Sequence, residues 1–334
     1  MTNNDTPPVV AAKSAAPLAL WLVLLAAAGA FALTMGTRQT MGLFLSALNT
    51  STALGIGSIS LAFAFGQLWW GLTQPFAGAV ADRIGTGRVI LLGVALVALG
   101  TFITPYMTTT AGLIFAIGVL AAGGAGMAGP SVLMAATARL VPASKRGLAS
   151  GIVNAGGSFG QFVMAPIAIS LTAAVGWASA MQWLGVLVLL ALPAVWVLKG
   201  NSNALAAQAA AASGQKALTA REAIAQALAT PSYRYLAAGF LVCGFHVAFL
   251  ATHLPGVIAA CGLAPEVGGW ALAVIGLFNI VGSLAMGWAV GRWRMKSLLA
   301  LLYATRGIAV LIFLLAPKTP TVELVLAAVM GVTF

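Results

Sequence analysis

Residues 78–88 read GAVADRIGTGR, a short, charged, glycine-rich connection between two apolar runs at 53–80 and 88–107. Each run is long enough, at 1.5 Å of rise per helical residue, to approach or exceed the ~30 Å hydrocarbon layer of a bilayer. Working outward, such runs recur with short breaks, predicting helices at 18–48, 53–80, 88–107, 111–138, 147–174, 178–199, 233–255, 267–290, 297–316 and 321–334. Composition agrees. Apolar residues make up 61% of the 334 positions and charged residues 6%, where a soluble domain carries about 25% charged residues. So few charges cannot cover a water-facing surface, so the solvent for most of the chain is lipid. The 39 glycines suit close helix packing there. The fold class is an all-α membrane protein.

With residue 1 placed on the cytoplasmic side, the connections on that side hold 13 of the 16 basic residues: Lys13, Arg83, Arg88, Arg139, Lys145, Arg146, Lys199, Lys216, Arg221, Arg234, Arg292, Arg294 and Lys296. The opposite connections hold Lys318, while Arg38 and Arg306 fall within predicted helices. This asymmetry sets a multi-pass topology with a cytoplasmic N-terminus in a bacterial-type inner membrane. It also accounts for the net charge of +11 as anchors beside anionic lipid, with no nucleic-acid surface required. The expected organisation is a disordered tail (1–17), a six-helix bundle (18–199), an alanine-rich cytoplasmic linker (200–232) and a partial second bundle (233–334) holding helices seven to ten. The linker is expected to carry a short surface helix over 220–229, capped by Thr219 with Glu222 three residues on. The last run offers 14 residues, about 21 Å of helix, so the chain reads as truncated within its tenth helix. Cys243 and Cys261 match no zinc or disulfide spacing and read as small apolar fillers.

The 78–88 stretch resembles the signature loop of the major facilitator superfamily, G-x-x-x-D-R-x-G-x-x-R/K with one residue of slack, at the family's place after helix two. The resemblance implies the major facilitator fold. Gly78, Asp82, Arg83, Gly85 and Arg88 then form a gate motif. Gly78 would permit close helix approach, and Asp82 would pair with a basic group or helix N-terminus of the facing half. Breaking that pairing would favour the other conformation of an alternating-access carrier. A degenerate copy, GWAVGRWRMK at 287–296, follows helix eight with Gly291 at the Asp position, which supports internal duplication. RLVPASKRGLASG (139–151) resembles the same loop in the monocarboxylate and oxalate–formate carriers, and GLFL (42–45) and CGFHVAFLATHLP (243–255) resemble bacterial relatives of that branch. Drug–proton antiporters fit less well. Residues 111–138 lack their helix-four arginine, and Met164 and Ala165 interrupt their glycine–proline pattern before Pro166.

Two motifs mislead. GAGMAG (124–129) matches a dinucleotide-binding fingerprint and GGSFG (156–160) a nucleophile elbow. Both lie mid-helix with no preceding strand, and both read as helix packing.

Ionisable and polar groups at membrane depth mark the candidate pathway. Arg306, well inside helix nine, is read as an anion-binding guanidinium, with a structural arginine tied to helix carbonyls as the other reading. Tyr303 lies three positions earlier on nearly the same face. Arg38 and Gln39 line the outer half of the pathway if helix one continues through Met41–Leu48, and lie at the surface if it ends at Gly36. His246, mid-helix seven, and His253 are candidate proton carriers or donors to substrate, or neutral buried histidines. Asn279, Gln67 and Gln74 complete the candidate lining. All five carboxylates, Asp5, Asp82, Glu222, Glu266 and Glu323, fall in tails, loops or helix ends, so no carboxylate relay is visible.

Arginine without an acidic counterpart points to an anionic substrate. The expected function is a secondary transporter, acting as a monomer without a cofactor. It would move a small, monocarboxylate-like organic anion by alternating access, with a proton as a candidate coupling ion. The alternative is an exporter of hydrophobic compounds with an aromatic pocket of Trp69, Trp70 and Phe278. An intramembrane enzyme would need a nucleophile with a base or a metal cluster, and the sequence offers neither.

Overall fold

A computed structural model describes residues 17–141, 146–198, 220–290 and 292–333. The expected tail, the 142–145 connection with Lys145, Gly291, most of the linker and the Thr219 cap lie outside the described residues. Among the described residues every regular element is helical.

Helix one is a single span. Its first part, α1 (Pro17–Thr40), passes through a 3₁₀ turn at Met41–Phe44 into α2 (Leu45–Thr52). Arg38 therefore lies inside the helix. Helix two, α3 (Ile56–Ile84), meets helix three, which opens with α4 (Thr86–Ile103), across one residue. That residue is Gly85, whose φ of 97° is open to glycine and strained for other residues. The predicted connection of 81–87 thus shrinks to a one-residue hinge. Asp82 and Arg83 continue the helix, and Arg83 sits in its last turn, where the helix dipole favours a cation. Helix four comprises α5 (Thr110–Leu113), a π-helical stretch Ile114–Ala122, α6 (Gly123–Met127) and α7 (Pro130–Leu140).

Helices five and six share the long α8 (Arg146–Val188), which breaks at Gly176 with φ 79°, and end in α9 (Leu192–Val197). The linker's α10 (Ala220–Ala229), with Glu222 in its first turn, stands where the sequence predicts it. Helices seven to ten are α11 (Pro231–Ala260), α12 (Pro265–Val290), α13 (Met295–Leu315) and α14 (Pro320–Thr333). Helix seven runs past Pro255, where the prediction ended it. Seven segments are long and apolar enough to cross a membrane, and one of them, Ala149–Val197, has 49 residues and holds two crossings about Gly176. Adding the more polar α3 and the short α14 gives ten helices. Trp196, Phe76, Leu241 and Leu315 are exposed, as a lipid-facing surface requires.

Small residues set the spacing of the first bundle. Ala28, Ala32 and Gly36 of α1 face Gly156, Gly160 and Met164 of α8. A Cβ on Gly160 would overlap the Ala32 carbonyl, and one on Gly36 would lie 2.6 Å from Gly160. Gly93 of α4 and Gly124 of α6 interlock the same way, each Cβ falling within 2.7 Å of the other's backbone. Both misleading glycine motifs are packing seams; GGSFG lies mid-helix as expected, whereas GAGMAG runs into the break between α6 and α7 at Ala128 and Gly129.

The halves meet at one end. Gly42 lies against the backbone of Ala251 and Thr252, Gly269 against Ile169, and a Cβ on Gly276 would lie 2.7 Å from Ser158 O. Leu250, Ala251, Thr252, Leu254 and Ile258 of α11 are buried, whereas Leu236, Phe240, Leu241 and Phe245 are exposed. The halves are closed at the Thr52–Ala260 end, and the beginning of α11 stands clear.

Candidate functional site

Where the halves approach, α1 and α3 present Arg38, Gln67 and Trp70 to one another. The Arg38 Nη2 donates to Gln67 Oε1, its Nη1 lies 3.8 Å from Met35 Sδ, and its Cζ sits 4.5 Å above the Trp70 ring. The indole face is the electron-rich surface a guanidinium prefers. Arg38 has five N–H donors, more than these contacts use, and no carboxylate pairs with it among the described residues. The Trp70 indole nitrogen is itself buried without a hydrogen-bond partner among the described residues. Unfilled donors in a dry site call for an acceptor.

Two neighbouring cavities lie beside this group, the smaller touching Arg38 and both touching Gln67. A small one of about 30 Å³, the size of a single water, touches Arg38, Gln39, Gly42, Gln67 and Thr252. The larger, about 320 Å³, lies between α3 and α11 and is lined by Ser60, Phe63 and Gln67 on one side and Phe245, Phe249 and His253 on the other. Phe63, Gln67 and Thr252 border both. Its volume is at the lower end for small-molecule sites, ~300–1,000 Å³, and its mix of aromatic walls with a few polar groups is typical of them. His253 packs 5.4 Å from Phe249. His246 lines neither cavity; its Nδ1 is buried without a partner among the described residues. Sequence spacing contained this lining. Ser60, Phe63 and Gln67 share one face of α3, as Phe245, Phe249 and Thr252 share one of α11.

Arg306 occupies a different place. It is buried, with Nε donating to Thr333 Oγ1 at 3.2 Å, Nη1 reaching Cys243 Sγ at 3.3 Å and Nη2 donating to Thr333 O. Its Cζ lies 5.7 Å from the Tyr303 ring, and Tyr303 donates to Gly239 O at 2.6 Å. The adjoining groove of about 450 Å³ is lined by α11, α13 and α14, with Cys243, Leu299 and Lys296 among its walls and no residue of the first half. Helix nine packs on α12 and α14, and its Arg306 and Tyr303 reach across to Cys243 and Gly239 of α11 and to Thr333 of α14. Asn279 lines neither the two cavities nor the groove beside Arg306, and its carbonyl accepts from Ser283 Oγ at 2.7 Å. The aromatic trio of the exporter reading is dispersed. Trp70 lies under Arg38, Trp69 stacks 6.1 Å from Phe65, and Phe278 packs against Gly331.

At the gate motif, Asp82, Arg83 and Arg88 are exposed, and a Cβ on Gly78 would meet nothing within 4 Å. The close approach expected at Gly78 is therefore not made in this conformation, because no helix lies over it. The loop is instead pinned through Thr86, whose buried hydroxyl donates to Leu198 O at 3.1 Å. In the degenerate copy, Arg292 stacks 4.0 Å over Trp288.

The sequence matches the family described as the Major Facilitator Superfamily across residues 14–334. It is 27% identical over 168 residues to monocarboxylate transporter 14 of Mus musculus, covering 48% of this chain and 31% of that protein. It is 26% identical over 168 residues to the oxalate:formate antiporter of Oxalobacter formigenes, covering 50% of this chain and 39% of that protein. These matches thus span less than half the length of either relative. Among solved structures, a D-xylose–proton symporter superposes with a TM-score of 0.65 at 15% identity, over 94% of this chain and 80% of that one. At that identity the likeness is one of fold.

Proposed function

This chain belongs to the major facilitator superfamily, and from that premise we propose that it carries a small organic anion across the membrane by alternating access of its two halves. The observation that carries this reading is Arg38. It is held by Gln67 and Trp70 beside the cavity between the halves, with donors to spare and no carboxylate partner among the described residues. An anion would supply the missing acceptors, and a carboxylate matches the guanidinium fork. The partial likeness to a monocarboxylate transporter and an oxalate:formate antiporter supports the same class. We place the binding groups at Arg38, Gln39, Gln67 and His253, and give Arg306 and Tyr303 the task of joining helices seven, nine and ten. The basic bias of one set of connections orients the N-terminus to the cytoplasm of a bacterial-type inner membrane, which makes this conformation closed to the outside.

The test is counterflow in proteoliposomes with labelled oxalate and lactate, and D-xylose as an uncharged control. Uptake of either anion that disappears in Arg38→Ala and persists in Arg306→Ala is the expected result. Movement of D-xylose with neither anion carried or competing sinks the anion reading.

A further inference from the structure

The larger cavity beside Arg38 has walls that a small polar anion does not use. On α11, Phe245, Phe249 and His253 recur every fourth residue and so share one helix face. Their rings form a ladder, the Phe249 centroid lying 6.2 Å from Phe245 and 5.4 Å from His253. Phe63 of α3 lines the same cavity from the other half. Phe245 is 66% exposed and Phe249 43%, so much of each ring is left uncovered by the described residues.

Size and chemistry narrow what would cover them. The cavity holds about 320 Å³. An apolar cavity of ~150 Å³ takes a benzene ring, and one water occupies ~30 Å³. Oxalate or lactate would therefore leave most of the space as water against phenyl walls. No arginine or lysine lines this cavity, so the second carboxylate of a dianion would lose its hydration there without a fixed cation in return. An aromatic ring would instead cover the exposed faces and bury its own apolar surface. The charged end of such a molecule has its place one side chain away. Gln67 borders both cavities and accepts from Arg38 Nη2.

We infer that the preferred cargo is a monoanionic aryl carboxylate of the benzoate type, its carboxylate on Arg38 and its ring between Phe63 and the α11 ladder. The inference rests on the anion reading above and narrows it. On binding, the carboxylate replaces Gln67 Oε1 as the acceptor for Arg38. Gln67 then donates its amide N–H to the same carboxylate, and its rotation off the guanidinium opens Arg38 to the larger cavity. Ser60 and His253, in the walls of that cavity, can bond a ring hydroxyl.

The test is calorimetric binding to the purified chain, which is independent of transport. Benzoate should bind about 10-fold more tightly than lactate or oxalate, because a ring buries more apolar surface. Benzamide, which keeps the ring and lacks the charge, should bind about 10-fold more weakly than benzoate. In Phe249→Ala the benzoate-to-lactate ratio should shrink to about twofold, and in Phe249→Tyr, which keeps a ring at this position, the preference should persist. Benzoate binding no tighter than lactate overturns the aryl assignment and leaves the anion reading standing. Benzamide bound as tightly as benzoate, with lactate and oxalate unbound, overturns both. A benzoate preference that Phe249→Ala leaves unchanged puts the ring elsewhere and overturns the inference. Where a variant does not fold, the wild-type order of affinities decides by itself.

Discussion

Arg38 and Arg306 are both arginines set within membrane-spanning helices, and their surroundings differ in what they leave unsatisfied. Around Arg306, two other helices of the second half converge on the guanidinium, α14 with the Thr333 hydroxyl and carbonyl and α11 with the Cys243 sulfur, and the Tyr303 ring of its own helix lies nearby. Around Arg38 the protein supplies one amide oxygen, one distant sulfur and an aromatic face. The first arrangement spends the arginine on holding helices together. The second holds an arginine in place while leaving donors for something else, beside a cavity that both halves line. An arginine inside a membrane therefore marks a pathway only where its neighbours leave its hydrogen-bonding capacity open.

The largest effect that sharpens this contrast is expected at Arg38. Its replacement by Ala removes charge-assisted bonds worth ~1.5–3 kcal/mol each, so oxalate or lactate exchange should drop by about 100-fold. Lys should recover only part of it, because an ammonium lacks the planar fork. Unaltered exchange in Arg38→Ala would dissolve the distinction between the two sites.

A somewhat smaller loss is expected where the first bundle holds Arg38 in place. Gly36, two residues before it, packs on Gly160, and Gly160→Leu should lower stability by ~2–3 kcal/mol through overpacking, read as a fall in melting temperature. Arg306→Ala should cost ~2 kcal/mol of stability through lost buried hydrogen bonds while the KM for the anion stays within about twofold. A raised KM at unchanged melting temperature would move the binding site to the second half. The smallest change, Tyr303→Phe, deletes the 2.6 Å bond to Gly239 O and should cost ~1 kcal/mol, again in melting temperature and not in transport.

The same contrast shows what could be read from residue order. Helix two and its charged end were legible because glycine, aspartate and arginine at fixed spacing between apolar runs constrain backbone and topology locally. Even there, the one-residue hinge at Gly85 was hidden, since hydropathy cannot tell a charged helix end from a loop. For Arg306 the depth in the helix was legible and the facing was not. His246 and His253 are both polar interruptions of helix seven, and only His253 borders the cavity. Glu323 reads as a helix-end residue, and only the folded chain shows that it is buried.

Residue order alone places this protein among all-helical, multi-pass membrane proteins of the major facilitator superfamily, with ten helices among the described residues. Those properties depend on local composition, run length and spacing, which need no knowledge of neighbours. Tertiary structure decided which arginine retains unused donors, which histidine reaches the cavity and which carboxylate is dry. Each of those depends on what the opposite helix places against a given face, and a helix's own sequence does not contain that information.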